Sequence, residues 1–369
     1  MKKKILIVIG TRPEALKLCP LIMELKLHKH KYKTYVCSTG QHMEMLDEVF
    51  SFFKIKPDFE LGLMNNSLNQ IDLIAKAMVG IQKIIFKIKP DILFVQGDTN
   101  SCMAGSIAGF FNKIKVAHLE AGLRSDNMEH PWPEEANRKL VSEVTSFHFC
   151  PTQSNKEKLL KENIYKNVYV VGNTVIDSLK HTMKLLNLPK NKKFLQQKFN
   201  FLGDNKFILL TAHRRESHGK GVHEISKAIK FLASHYQETN FVIPLHPNPN
   251  VKKAFTKLLK GEKNIFLLKA QDYLSFNYLM KESLFIISDS GGVQEEAPTI
   301  KKKVILLREL TERQESVGEN MKIAGLKSQN IIREAKIFIK NPAFVPMKNP
   351  YGNGNTSKKI VAILDKKLC

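Results

Sequence analysis

Short apolar runs and amphipathic stretches alternate along the whole chain. The first run, Ile5-Leu6-Ile7-Val8-Ile9, contains no polar residue. That is the pattern of a strand covered on both faces, not of one facing water. Runs at 33–38, 92–96, 116–119, 147–150 and 168–171 have the same character. Between them, apolar residues recur with helical spacing over 14–27, 71–88 and 134–144. The second half repeats the alternation, with strand-like runs at 207–211, 240–244, 265–268, 284–288 and 304–307, and a last helical stretch covers 357–368. Strands alternating with helices predict parallel sheets joined by helical crossovers. Thr11 and Glu14 have the spacing of a capping box at the first helix, with Pro13 inside its first turn.

At 369 residues, two domains are expected. The pattern is divided into a first α/β lobe at 1–175, to which the C-terminal helix 355–369 is expected to return, and a second at 176–354. The join lies near 172–180, beside a lysine- and asparagine-rich stretch at 181–204. Pro342, Pro346, Pro350 and Gly352-Asn353-Gly354 mark a loop that returns toward the first lobe.

The start, Met1-Lys2-Lys3-Lys4 before an apolar run, superficially resembles a secretion signal. The run is too short for one and enters Gly10-Thr11-Arg12-Pro13-Glu14, so it reads as a buried strand of a cytoplasmic protein. No stretch approaches the roughly 20 apolar residues of a membrane-spanning helix. Cys19, Cys37, Cys102, Cys150 and Cys369 show no metal-type or Cys-x-x-Cys spacing and read as reduced thiols, with no metal expected. The net charge of +23 admits an anionic partner. Its lysines are scattered, without aromatic interleaving or a nucleic-acid motif, so they read as a solvated surface that also helps capture an anionic ligand.

Two strand-turn-helix segments have phosphate-binding character: 5–14, and 284–296 with Ser290-Gly291-Gly292 at its turn. A helix start offers free N–H groups and a positive dipole end to an anion. Between them lie carboxylates at strand ends, where open α/β sheets place ligands. Asp98 follows 92–96; alone, it reads as a helix cap. Glu120 follows 116–119, and a second carboxylate at a neighbouring strand end favours function for both. Pro131-Trp132-Pro133-Glu134-Glu135 puts two glutamates at a helix start; they read either as complements to the helix dipole or as leaving one for catalysis, and the segment alone leaves both open. His213-Arg214-Arg215-Glu216 suggests an anion pocket or a proton-transfer site, whereas His246, in a proline-constrained loop, reads as structural first and as lining the cleft second. Glu296 is placed to accept both hydroxyls of a ribose or to act as an ordinary early-helix glutamate. Arg313 pairs with phosphate or with neighbouring carboxylates.

Taken together, these segments resemble the non-hydrolysing UDP-N-acetylglucosamine 2-epimerases. The resemblance is carried by Gly10-Thr11-Arg12-Pro13-Glu14, Gly97-Asp98-Thr99, His118-Leu119-Glu120-Ala121-Gly122-Leu123-Arg124, 131–138, Gly172-Asn173-Thr174-Val175-Ile176-Asp177, 213–216, 288–298 and Thr311-Glu312-Arg313, in the family's order. It implies a GT-B-like α/β fold with two Rossmann-like lobes facing a central cleft, the second binding the nucleotide. It also implies a homodimer, with no metal or nicotinamide required. The activity implied is epimerisation at carbon 2 of UDP-N-acetylglucosamine through elimination of UDP, serving surface polysaccharide synthesis. By motif, Asp98, Glu120, Glu134 and His213 match the family's catalytic set. Arg12, Lys17, Gln271, Phe276, Ser290, Gly291, Gly292, Glu296 and Arg313 match its nucleotide-binding set. Met43 and Ser67 stand where some relatives have arginines, so activation by a second substrate molecule is expected to be weak. The nearest alternatives are a UDP-sugar-dependent GT-B glycosyltransferase and a hydrolysing epimerase. A basic nucleic-acid-binding protein accounts for the charge and leaves the carboxylates unexplained.

Overall fold

The strand β1 (Lys3–Ile9) alternates its side chains between two apolar layers. Ile5, Ile7 and Ile9 enter one core cluster, and Leu6 and Val8 the other. Residues on successive positions of a strand point to opposite faces, so an unbroken apolar run is what a sheet covered on both sides requires. The computed structural model describes residues 1–40, 43–63, 69–212, 219–245 and 248–368.

The chain divides into two compact units, Met1–Ser178 with Pro350–Cys369, and Leu179–Asn349. In the first, β1 is followed by α1 (Arg12–Leu27), β2 (Tyr32–Ser38), α2 (Met43–Phe52), β3 (Phe59–Glu60) and α3 (Gln70–Ile88). Next come β4 (Ile92–Gln96), α4 (Asn100–Phe111), β5 (Lys115–Leu119), α5 (Glu134–Val144), β6 (Phe147–Cys150), α6 (Gln153–Lys161) and β7 (Val168–Val170). Its sheet is parallel, ordered β3-β2-β1-β4-β5-β6-β7. The order reverses between β1 and β4, and ligands of open α/β sheets sit outside the strand ends at such a switch.

The helix α7 (Val175–Leu186) spans the division, and α8 (Pro189–Lys198) follows. The second unit then runs β8 (Phe207–Thr211), α9 (Lys220–His235), β9 (Asn240–Pro244), α10 (Pro249–Leu259), β10 (Ile265–Leu268), α11 (Tyr273–Glu282) and β11 (Ile286–Ser288). It ends with α12 (Gly291–Glu296), β12 (Val304–Leu306), β13 (Met321–Ile323) and α13 (Ser328–Lys340). Its parallel sheet is ordered β10-β9-β8-β11-β12-β13, with the switch between β8 and β11. Each unit is thus a Rossmann-like lobe.

The strand expected at 284–288 begins only at Ile286. Two strands that the pattern does not announce, β3 and β13, are short edge strands in which an apolar run has no room to develop. The last helix, α14 (Thr356–Leu368), buries Ile360, Val361 and Leu364 in the same core as Leu18 and Leu21 of α1. Asp177 accepts from the N–H groups of Thr356 and Ser357, at 3.1 and 2.8 Å, and so caps this helix. That gives part of the Gly172–Asp177 motif a structural task in this chain.

Candidate functional site

Three turns at the carboxyl ends of β1, β4 and β5 bring the first unit's polar residues together. Gly10 ends β1 in a crowded place: a Cβ there meets the Ser101 hydroxyl at 2.0 Å and that of Thr39 at 2.9 Å. Only glycine fits without displacing α4. The capping box expected at α1 does not form, since Thr11 makes no capping bond with its side chain. Its hydroxyl instead donates to Glu14, whose carboxyl is drawn inward to accept also from the Gly10 N–H and from Thr99.

At the end of β4 the cap of α4 is Thr99, which accepts from the Cys102 N–H, so Asp98 does not serve as the cap. Asp98 lies instead against Arg138, whose Nε and Nη2 reach its Oδ2 at 2.9 and 2.7 Å. Asn137 donates to the Asp98 carbonyl at 2.8 Å. Glu135 is fully buried and accepts from Arg138 and from the Ser125 N–H. Its neighbour Glu134 is half-buried, with Oε2 lacking a partner among the described residues. Of the two glutamates, Glu135 is the one held by Arg138 and a backbone N–H, although its Oε1 likewise lacks a partner among the described residues.

Glu120 follows β5 with φ of 67°, a left-handed backbone that costs a non-glycine residue about 1–3 kcal/mol. Lys17 and Gln96 both donate to its Oε2. Lys17, a nucleotide-binding candidate, is thus brought onto a catalytic candidate. A cavity of about 10 Å³ beside them is lined by Asn173, Thr174 and Thr356. His118 is buried, and its Nε2 lies 2.7 Å from the Gly97 carbonyl. Burial pushes its pKa down to about 3, so it is neutral and donates to that carbonyl, fixing the turn that leads into Asp98. Arg12 reaches Glu48 at 3.3 Å.

The second unit gathers its candidates around the turn after β11. Arg313, 7% exposed, donates from Nε to Glu295 at 2.6 Å and has Glu312 at 3.7 Å from Nη1. The two arginines Arg313 and Arg308 hold the Glu312 carboxyl down at about 2 against the effect of its burial. A Cβ on Gly291 comes within 2.9 Å of the Arg313 guanidinium carbon, so the absent side chain lets this cation lie against the backbone at the turn. Ser290 precedes α12 without a side-chain capping bond, and a Cβ on Gly292 would lie in ordinary contact with the Ser290 hydroxyl at 3.7 Å and Glu296 Oε2 at 4.0 Å. Glu296 is buried and accepts from the Tyr273 hydroxyl at 2.5 Å. Gln271 donates to the Lys269 carbonyl and keeps Oε1 unpartnered among the described residues, while Phe276 packs against the core. His213, His246 and Ser67 lie outside the described residues, as does the side chain of Met43.

Sequence reasoning misses Glu14, Gln96, Arg138, Glu135 and Tyr273 as parts of these clusters. The signal available was spacing: Glu135 and Arg138 lie one helical turn apart, and Glu14 shares a turn with Thr11. Chemically, the first unit offers carboxylates held by cations for proton transfer, and the second offers a cation and small-residue turn for a phosphate. Among the described residues, no helix is long and apolar enough to cross a membrane.

The model of the UDP-N-acetylglucosamine 2-epimerase family matches residues 25–365. The UDP-N-acetylglucosamine 2-epimerase of Neisseria meningitidis is 46% identical, over 98% of this chain and 99% of its own. A crystal structure of UDP-GlcNAc 2-epimerase from N. meningitidis bound to UDP-GlcNAc superposes with a TM-score of 0.95 at 45% identity, covering 98% of this chain and 100% of that one. A Methanocaldococcus jannaschii UDP-GlcNAc 2-epimerase, solved in complex with UDP-GlcNAc and UDP, gives 0.85 at 34% identity over 98% and 99% of the two chains.

Proposed function

This chain belongs to the UDP-N-acetylglucosamine 2-epimerase family, and from that premise we propose that it interconverts UDP-N-acetylglucosamine and UDP-N-acetylmannosamine as an isomerase. The observation that carries the reading is that Asp98 and Glu120 follow the paired strands β4 and β5 while Glu134 opens α5, the helix whose Arg138 holds Asp98, in a chain alike over 98% of its length to an epimerase. A GT-B glycosyltransferase needs an acceptor and leaves these three carboxylates without a common purpose.

The hydrogen on carbon 2 is not acidic while the anomeric bond is intact. As the carbon 1–oxygen bond breaks, carbon 1 becomes cation-like and that hydrogen becomes acidic. A carboxylate takes the proton, the electron pair of the C–H bond forms the carbon 1–carbon 2 double bond, and UDP departs with the electrons of the C–O bond. Protonation on the other face and re-addition of UDP give the epimer. Two faces need two proton-transfer arrangements, which fits several carboxylates. We assign Asp98, Glu120, Glu134 and His213 to this chemistry. Arg12, Lys17, Gln271, Phe276, Ser290, Gly291, Gly292, Glu296 and Arg313 are assigned to UDP and its sugar, Arg313 offsetting charge on the departing diphosphate. In this chain Lys17 acts on the ligand only alongside its contact with Glu120. The test is incubation with UDP-N-acetylglucosamine, without added NAD or metal, followed by NMR; recovery of the starting sugar alone defeats the reading.

The same reading makes the enzyme a cytoplasmic homodimer that supplies polysaccharide synthesis. A groove of about 400 Å³ lined by Ile85, Phe86, Lys89, Asn112 and Ile114 supports the dimer, with Phe86 62% exposed and Phe111, next to Asn112 in the chain, 77% exposed. Such a surface favours a partner over water. Phe111→Glu is expected to halve the mass seen by analytical ultracentrifugation; an unchanged dimer places the contact elsewhere.

A further inference from the structure

Glu14 is a buried carboxyl that the mechanism above does not use. It is 1% exposed and lies in the first turn of α1. Its Oε2 accepts from the Gly10 N–H at 3.1 Å and the Thr11 hydroxyl at 2.8 Å. Its Oε1 accepts from the Thr99 hydroxyl at 2.8 Å. These donors belong to two different strand-end turns, one leading into Arg12 and one leading out of Asp98. Their sequence separation is large, and no other side-chain hydrogen bond described here joins the two turns.

Resting on the epimerase reading, we infer that Glu14 is a positioning residue: its carboxyl staples the β1–α1 turn to the β4–α4 turn and so fixes Asp98 relative to Arg12. All three partners donate, and the ionised carboxylate satisfies them without a proton of its own. The environment opposes that ionised form. Burial raises the Glu14 pKa to about 7, with the hydrogen bonds pulling it back only in part. The ionisable groups around it are Asp98 after β4, Cys102 of α4, Glu120 after β5 and Lys17 of α1. The first three are neutral or negative, and the charge of Lys17 is directed at Glu120. Near neutrality both forms of Glu14 are therefore populated. The protonated form has one accepting and one donating oxygen, the hydrogen-bond pattern of a glutamine.

Two variants separate a staple from a residue that merely fills space. Glu14→Gln fixes the protonated pattern and keeps the shape. Its turnover should equal that of the wild type near about pH 6 and fall about fivefold short near about pH 8, because only the wild type ionises. Glu14→Ala should be at least about tenfold slower at both values, since displacing a reacting group by about 1 Å can cost that much or more. Thermal unfolding adds a readout that needs no activity. Because the folded pKa is raised above the ordinary 4.5, the wild type loses stability relative to Glu14→Gln as pH rises from about 4.5 through about 7. A folded Glu14→Ala variant with wild-type turnover overturns the staple. So does a Glu14→Gln profile that follows the wild type through neutrality, or a stability gap that stays constant with pH. A wild type that does not epimerise overturns the functional reading instead, and the unfolding series still decides the staple.

Discussion

Asp98→Asn, Glu120→Gln and Glu134→Gln are each expected to lower turnover by about 100-fold or more, the scale of general acid–base catalysis. Each change keeps the shape and removes the carboxylate. Asp98 is relieved of capping by Thr99 and is held by Arg138 on a rigid helix. Glu134 keeps an oxygen without a partner among the described residues, while Glu135 beside it is held by Arg138 and a backbone N–H. Glu120 is held in a left-handed conformation, a strain that persists where the surroundings fix a side chain in one place. The variants should differ in stability. Asp98→Asn leaves Arg138 its contact with Glu135, so the melting temperature should stay close to that of the wild type. Glu120→Gln leaves Lys17, 11% exposed, facing a neutral amide, and should melt earlier. Steady-state kinetics and thermal scans on the three variants check this. Turnover within about threefold of the wild type in all of them leaves the fold standing and overturns the carboxylate assignment.

Arg313→Ala is expected to weaken UDP binding at least about tenfold, since a lost charge-assisted hydrogen bond costs about 1.5–3 kcal/mol. Besides its contacts with Glu295 and Glu312, the guanidinium lies beside Gly291 at the turn before α12. Removing the arginine also takes the Nε contact from buried Glu295 and leaves Glu312 with Arg308, which destabilises the lobe. Arg313→Lys keeps the charge and loses the planar fork, so it should fold more readily and still bind weakly. Calorimetry decides the matter: unchanged UDP affinity in both folded variants removes Arg313 from the site.

What the sequence made legible followed from strong local patterns. Unbroken apolar runs such as Ile5-Leu6-Ile7-Val8-Ile9 announced strands buried on both faces, and small-residue turns behind them announced strand-to-helix connections. The strands β3 and β13 were invisible because their two and three residues carry no period. Thr11 and Glu14 were visible as a pair, yet the Thr11 hydroxyl donates to the carboxyl instead of capping the helix, and Thr99, distant in sequence, donates to the other oxygen. The contact of Lys17 with Glu120 likewise joins residues 103 positions apart. Only tertiary structure could reveal it. His213 was legible as a chemical residue and lies outside the described ones.

The central claim is that proton removal at carbon 2 accompanies loss of UDP. It is tested most directly by running the wild type on UDP-N-acetylglucosamine in heavy water and reading carbon 2 of the product by NMR. Removal and return occur on different faces, so a solvent-derived atom is delivered and the UDP-N-acetylmannosamine formed should carry deuterium at carbon 2. Product that is epimerised but holds its original hydrogen there contradicts elimination and points to a redox or ring-opening route.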